Sequence, residues 1–447
     1  MKFQSMKYLS AMAMILAAVA GGRAGELSVE DFKFDGPLGS AGARIEKVGR
    51  NDFTITVGHP PDRTAWPNHL QFQILRNAKG NDLHITRRFD AISEYKPFKY
   101  PYGIGGPSCL SYDDGKTWEK ITWRKYKDKL DKNPDDKTAT HTVEMLFPVF
   151  EQDTVWFGHE VPMSYEDMLK LVAGWKKNPA VKVQVIGQSL GKRDLIRMEV
   201  TDPRSPYPRA GRWVHYFANQ HPGEYNAMWR MVGMIDWLLS DAGADTRKRF
   251  ICHFIIMMSP DGPSAGWHRT NAQGKDMNRS YCDQGANLAT QAHEAYLCQK
   301  DLESIMASDC PVTTISDMHT CGGNIRLRIY PGPETGNLVG PPSQLAGILT
   351  RLDPTNALVR PLICRGEKMP PRSKWRPLPP DKPPRYSEGN GFWDEGPRDQ
   401  FGITAFEVEG GGSFSTKKEA LDSGVVFIQA LAEYYPGTLG EAGKLKK

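Results

Sequence analysis

A chain of 447 residues, 39% hydrophobic and 24% charged, is too long for one ordinary domain and long enough to bury a sizeable core. Its formal charge of +5 leans on Lys2, Lys7 and Arg23; without residues 1–24, which hold no acidic residue, it falls to +2, and the case for a nucleic-acid partner lapses. After the N-terminus no run of 18 or more apolar residues follows, which argues against a membrane-spanning protein.

In chain order, residues 1–24 have the make-up of a signal peptide: Lys2 and Lys7, an apolar run from Leu9 to Ala20, and small residues at Ala18-Val19-Ala20 or near Ala24. The run is short for a membrane span, and no cysteine stands nearby to carry a lipid. A secreted or periplasmic protein with no stable membrane anchor is expected. Seven cysteines in an exported chain point to one or more disulfides with at least one thiol left over, and none shows Cys-x-x-Cys spacing.

Residues 25–160 read as strands separated by turn-rich segments. FTITV at 53–57, HLQFQIL at 69–75 and TVWFG at 154–158 are the clearest, with Leu70, Phe72 and Ile74 alternating against Gln71 and Gln73. An all-β sandwich of antiparallel strands is the expected fold. Ser164 and Asp167 resemble a capping box opening a helix over 165–177, and a second domain is placed at 161–440.

There the rhythm changes to α/β. Strands are expected at 181–187, 195–201, 213–220, 250–258, 312–318 and 403–409, and helices at 225–240, 287–307 and 417–435, the last with Leu421, Val425, Ile428 and Leu431 on one face. From Asn324 to Asn390 the sequence reads as a proline-rich loop. Its basic part, from Arg360 to Arg385, is better read as a solvated loop than as a selector of acidic substrates.

His221-Pro-Gly-Glu224 follows an apolar strand and precedes a helix, the position where α/β sheets present ligand groups. Imidazole and carboxylate both suit zinc, but a catalytic zinc needs a third protein ligand, and 11 histidines produce about one chance His-x-x-Glu. His319, at the end of another apolar strand, is the best third candidate. Between them, Arg269 and Asn278-Arg279 are suited to gripping a carboxylate, because the guanidinium fork matches two oxygens.

His221-Pro-Gly-Glu224, Pro260-Asp-Gly262, Arg269, Asp276-Met-Asn278-Arg279, His319 and Glu407, in this order, resemble the zinc carboxypeptidase family over roughly residues 165–435. The His-Pro-Gly-Glu form is most similar to its cytosolic-carboxypeptidase-like branch, which carries a β-sandwich ahead of an α/β catalytic domain. The resemblance implies one Zn²⁺ per chain held by His221, Glu224 and His319, with Asp276 orienting His221. It implies that Arg269 polarises the scissile carbonyl, that Asn278 and Arg279 bind the substrate's free C-terminal carboxylate, and that Glu407 is the general base. Glu409 lies on the same strand face as Glu407; the small Ala405 and apolar Phe406 ahead of Glu407 favour it over Glu409. Tyr386, 21 residues before Glu407 with Trp393 between, matches the neighbourhood of the family's mobile tyrosine.

The expected activity is an exported metallocarboxypeptidase acting on peptides with a free C-terminus. Two alternatives stand beside it: a zinc deacylase or amidase acting on N-acyl amino acids or cell-wall peptides, and a non-catalytic peptide-binding protein that keeps the fold. Sequence leaves the oligomeric state unassigned.

Overall fold

The structure, a computed structural model, describes residues 25–58, 68–89, 108–130, 141–282, 284–320, 325–330, 338–355, 357–360, 393, 395–411 and 416–441. The expected leader at 1–24 and Tyr386 lie outside these residues.

The first unit holds ten strands: β1 (Phe32–Lys33), β2 (Arg44–Gly49), β3 (Asp52–Val57), β4 (Phe72–Ile74), β5 (His84–Phe89), β6 (Ser108–Ser111), β7 (Glu119–Lys120), β8 (Lys125–Leu130), β9 (His141–Leu146) and β10 (Val155–His159). They form two five-stranded sheets, ordered β1-β4-β10-β6-β7 and β2-β3-β5-β9-β8. Alternating residues of both sheets, such as Phe53, Ile55, Val143 and Met145 from one and Phe72, Ile74, Leu110 and Phe157 from the other, enter a single apolar cluster. One pair departs from the antiparallel expectation: β3 and β5 run parallel, because the chain between them contributes β4 to the opposite sheet. Gln71, expected outward by alternation, is buried.

Helix α1 (Tyr165–Trp175) follows, its Ser164 hydroxyl accepting from the Asp167 N–H at 3.0 Å as the cap pattern implies. The second unit continues with β11 (Val181–Gln188), β12 (Asp194–Val200), β13 (Trp213–Ala218), α2 (Tyr225–Leu239), α3 (Ala244–Arg249), β14 (Phe250–Ile255), α4 (Gly262–Ala265), α5 (His293–Met306), β15 (Thr314–Met318), β16 (Ile325–Tyr330), α6 (Pro342–Leu352), β17 (Val359–Arg360), α7 (Glu395–Phe401), β18 (Thr404–Glu409) and α8 (Lys417–Tyr434). Its strands make a mixed eight-stranded sheet, ordered β11-β12-β14-β13-β15-β18-β16-β17 and parallel from β14 to β18. α2 and α8 pack on one face, and α5 packs on the other, through Ala295, Cys298 and Leu302. Central β13 is buried at every residue, as a parallel strand covered on both faces must be.

The helix α2–α8 contact depends on two glycines. A Cβ at Gly424 would lie 1.9 Å from the Arg230 carbonyl oxygen, and one at Gly233 would lie 2.1 Å from that of Leu421. The buried face of α8 is therefore broader than the expected stripe, taking in Ser423, Gly424, Val426 and Phe427 while Val425 is only partly covered.

The reading of 324–390 as loop is corrected within 325–330, 338–355 and 357–360 by β16, α6 and β17, while the rest of it, including the basic stretch 361–385, lies outside the described residues. Prolines 341 and 342 mask the start of α6, where proline is tolerated because the first helical N–H needs no partner, and Leu345 and Leu349 bury its inner face. Conversely, α5 starts later than expected, because the Asn287 side chain accepts from the Ala289 N–H and turns the chain. Of the described cysteines, 252, 282, 298 and 310 are free thiols, and Cys321 and Cys364 lie outside the described residues. Among the described residues no helix is long and apolar enough to cross a membrane.

Candidate metal centre

The parallel strands β13, β15 and β18 end side by side, and the polar residues singled out in the sequence gather beyond those ends. His221 stands three residues past β13. The chain turns through Pro222-Gly223, where the Gly223 N–H donates to the His268 carbonyl, and Glu224 becomes the N-cap of α2. β15 ends at Met318, so His319 leaves the sheet directly, its N–H donating to the Val408 carbonyl of β18 at 2.8 Å.

Glu224 lies between the two imidazoles. Its Oε1 is 2.8 Å from His221 Nδ1 and its Oε2 is 2.9 Å from His319 Nδ1, while the Thr320 N–H donates to Oε2 at 2.8 Å. One ligand atom from each of His221, Glu224 and His319 falls within 4.8 Å of the others, and all three residues are buried. Burial works to raise the Glu224 carboxyl, but the His221 and His319 imidazoles overcome it and hold it well below the usual carboxylate range. Burial likewise works to lower the His319 imidazole, but the Asp317 and Glu224 carboxylates hold it well above its ordinary value.

Around this trio the next partners are fixed. Asp276 receives His221 Nε2 at 3.2 Å and the Asn278 N–H at 3.0 Å on Oδ1, and Arg269 Nε at 2.6 Å on Oδ2. Burial opposes this carboxylate's charge, but Arg269 and His221 hold it far below the ordinary range. His319 Nε2 lies 2.9 Å from Asp317 Oδ2 and 2.8 Å from Asn278 Nδ2. Asn278 is held at its other end too, since its Oδ1 accepts from the Trp393 N–H at 2.9 Å. Arg279 follows in the same 3-10 turn, its Nη1 donating to the Asn278 carbonyl at 3.1 Å.

The two glutamates of β18 differ in depth. Glu407 pairs in register with Asp317, inside the sheet, and is 9% exposed. Glu409 is the last residue of the strand, and its charge is among those that raise the Arg269 pKa. Glu407 thus stands within the strand, and Glu409 acts on Arg269 from its end.

Residues missed from the sequence are Asp317, Thr320 and Arg230. Arg230, fully buried on α2, donates to the His319 and Gly410 carbonyls at 3.0 and 2.9 Å and so ties the ends of β15 and β18 together. A charged residue within an apolar helix face was the available signal. For Asp317 it was the alternation of TISDM, which sends Asp317 to the face opposite Ser316 and Met318.

Residues 166–304 match the family described as zinc carboxypeptidase. That stretch takes in His221, Glu224, Arg269, Asp276, Asn278 and Arg279, while His319, Glu407 and Glu409 lie beyond it. Among curated proteins the chain is 28% identical over 256 residues to cytosolic carboxypeptidase 3 of Mus musculus, covering 53% of this chain and 24% of that protein. It is 31% identical over 211 residues to cytosolic carboxypeptidase 2 of Homo sapiens, covering 44% and 23%. The chain thus spans about a quarter of the length of these relatives. Among solved structures it is similar to a metallo-carboxypeptidase from Burkholderia cenocepacia, with a TM-score of 0.62 at 17% identity over 91% of this chain and 98% of that one. A metallo-carboxypeptidase from Pseudomonas aeruginosa gives a TM-score of 0.61 at 17% identity over 91% and 99%. At this identity the likeness establishes the carboxypeptidase-like fold.

Proposed function

We propose that this chain, whose residues 166–304 belong to the zinc carboxypeptidase family, is an exported metallocarboxypeptidase that removes C-terminal residues from peptides. The carrying observation is the buried His221–Glu224–His319 trio with its ligand atoms within 4.8 Å. Two imidazole nitrogens and a carboxylate suit a catalytic zinc, and Asp276 on His221 Nε2 is the carboxylate–histidine support that such sites use. The residues fit one zinc per chain, which when bound supplies a Lewis acid for the scissile carbonyl and for the attacking water.

The remaining chemistry belongs to side chains. Arg269, anchored through Nε on Asp276, stabilises the developing oxyanion. Glu409 takes the proton from water and passes it to the leaving amine, a role supported by its place at the end of β18 and its effect on Arg269. Arg279 and Asn278 bind the terminal carboxylate. For Asn278 this requires release from His319: with a metal held on Nδ1, the imidazole would keep its proton on Nε2, Asp317 at 2.9 Å would be its acceptor, and the Asn278 amide would be free to turn to substrate. Tyr386 is read as the mobile tyrosine, seven residues ahead of Trp393, whose N–H reaches Asn278.

Residues 25–160 are read as a β-sandwich domain and 161–440 as the catalytic domain. Export rests on Lys2, Lys7 and the apolar run to Ala20; cell fractionation with N-terminal sequencing checks it, a mature start near residue 25 supporting it and an intact Met1 in the cytosol overturning it. End-point mass spectrometry on a mixed peptide library, with acylated amino acids included, tests the activity. Stepwise loss from the C-terminus supports the proposal, cleavage of acylated amino acids alone moves it to a deacylase, and zinc binding without turnover moves it to a binding protein.

A further inference from the structure

Three side chains flanking strands of the N-terminal sheets converge on the segment that presents Glu224. His69, ahead of β4, is 2% exposed and donates its Nε2–H to the Gly223 carbonyl at 3.1 Å. Gln71 Nε2 donates to the Tyr225 hydroxyl at 2.7 Å, and Glu160, just past β10, accepts from the Asn226 N–H at 2.9 Å. The residues on both sides of Glu224 are thus tied to the N-terminal unit.

The packing leaves little slack. A Cβ at Gly223 would lie 2.4 Å from His69 Nε2 and 2.8 Å from the His268 Cα. The His69 ring is held between His159 and His268, with centroids 4.4 and 4.6 Å away. Because a carbonyl can only accept, the proton of His69 is fixed on Nε2. Glu160 has a φ of 54°, a left-handed value uncommon outside glycine, so the strand end bends where its carboxylate meets α2.

We infer that the N-terminal β unit is a working part of the metal centre, with His69, Gln71 and Glu160 as positioning residues that hold Gly223–Asn226 so that Glu224 faces both histidines. This rests on the zinc reading above. Within its own unit the segment is held by the Gly223 N–H on the His268 carbonyl, the Glu224 N–H on the His221 carbonyl, the Thr320 N–H on Glu224 Oε2 and the Asn226 amide on the Gly411 carbonyl; the Gly223 carbonyl is held by His69. Without His69 the Gly223 carbonyl loses its partner inside the protein, and the loop gains freedom to turn Glu224 away.

The test uses the full chain with His69→Leu, His69→Gln and Gln71→Met. Zinc affinity is measured by competition with a chelator, amide exchange at Tyr225 and Asn226 in the zinc-free protein, and kcat and KM on a peptide. His69→Leu should weaken zinc binding about 10- to 100-fold, speed exchange, and lower kcat more than it changes KM. His69→Gln, whose amide can donate to the same carbonyl, should restore most of both. Gln71→Met should move them in the same direction by less, and it carries the test if His69→Leu does not fold. A zinc-binding wild type with variants unchanged in affinity and exchange overturns the inference alone; a wild type that binds no zinc overturns the metal reading and this inference with it.

Discussion

Asp276 does more at this centre than any residue except the trio itself, since one buried carboxylate serves His221, Arg269 and the turn that carries Asn278. Asp276→Ala should therefore weaken zinc binding by about 10- to 100-fold and also impair turnover at saturating zinc, because Arg269 loses its anchor. Chelator competition read beside kcat separates the two effects. The choice of base is equally local. Glu409→Gln should leave zinc bound and cut kcat by roughly 10²- to 10⁴-fold, whereas Glu407→Gln should cost much less; the reverse order would return the role to Glu407. Sequence exposed the trio, Arg269 and Asp276 because each sits in a short ordered motif. It ranked Glu407 above Glu409 on the neighbours Ala405 and Phe406, but alternation gives both one face, and where the strand ends was not legible.

Between elements, the α2–α8 crossing places Arg230, and through it the strand-end carbonyls of His319 and Gly410. Gly424→Val would drive side-chain atoms into the Arg230 backbone, where even a Cβ lies 1.9 Å from its carbonyl oxygen. The variant should lose about 1–3 kcal/mol or more of stability by denaturant unfolding and bind zinc less tightly; an unchanged midpoint would refute the tight crossing. The apolar periodicity of α2 and α8 was legible, but the need for glycine was not, since a glycine in a helical pattern reads only as a weak point. Likewise α6 was hidden by Pro341 and Pro342, which sit at its start, where they do no harm.

Across the whole molecule, buried histidines set the acid response. Burial pushes His215 and His253 down to about 3, with Arg197 assisting at His253, and His268 down to about 4. A folded value below the unfolded one, about 6.5, means the unfolded chain binds more protons below that pH. Their contribution is thus complete above about pH 6.5 and lost as pH falls towards the folded values. The Tm of the zinc-free protein should fall steadily from pH 7 to pH 4.5, and a flat profile would contradict neutral burial of these rings. The order of units, strands then alternating strands and helices, was readable from periodicity; the dependence of the metal loop on His69, Gln71 and Glu160 was not, because those residues lie 154 and 66 positions from their partners. The central claim is that His221, Glu224 and His319 make a catalytic zinc centre. Zinc titrated into the metal-free chain, with release of a peptide's C-terminal residue as the readout, tests it most directly. Activity should rise to a plateau at about one equivalent and be absent in His319→Ala; no activity at any zinc level, or an unchanged plateau in that variant, would contradict it.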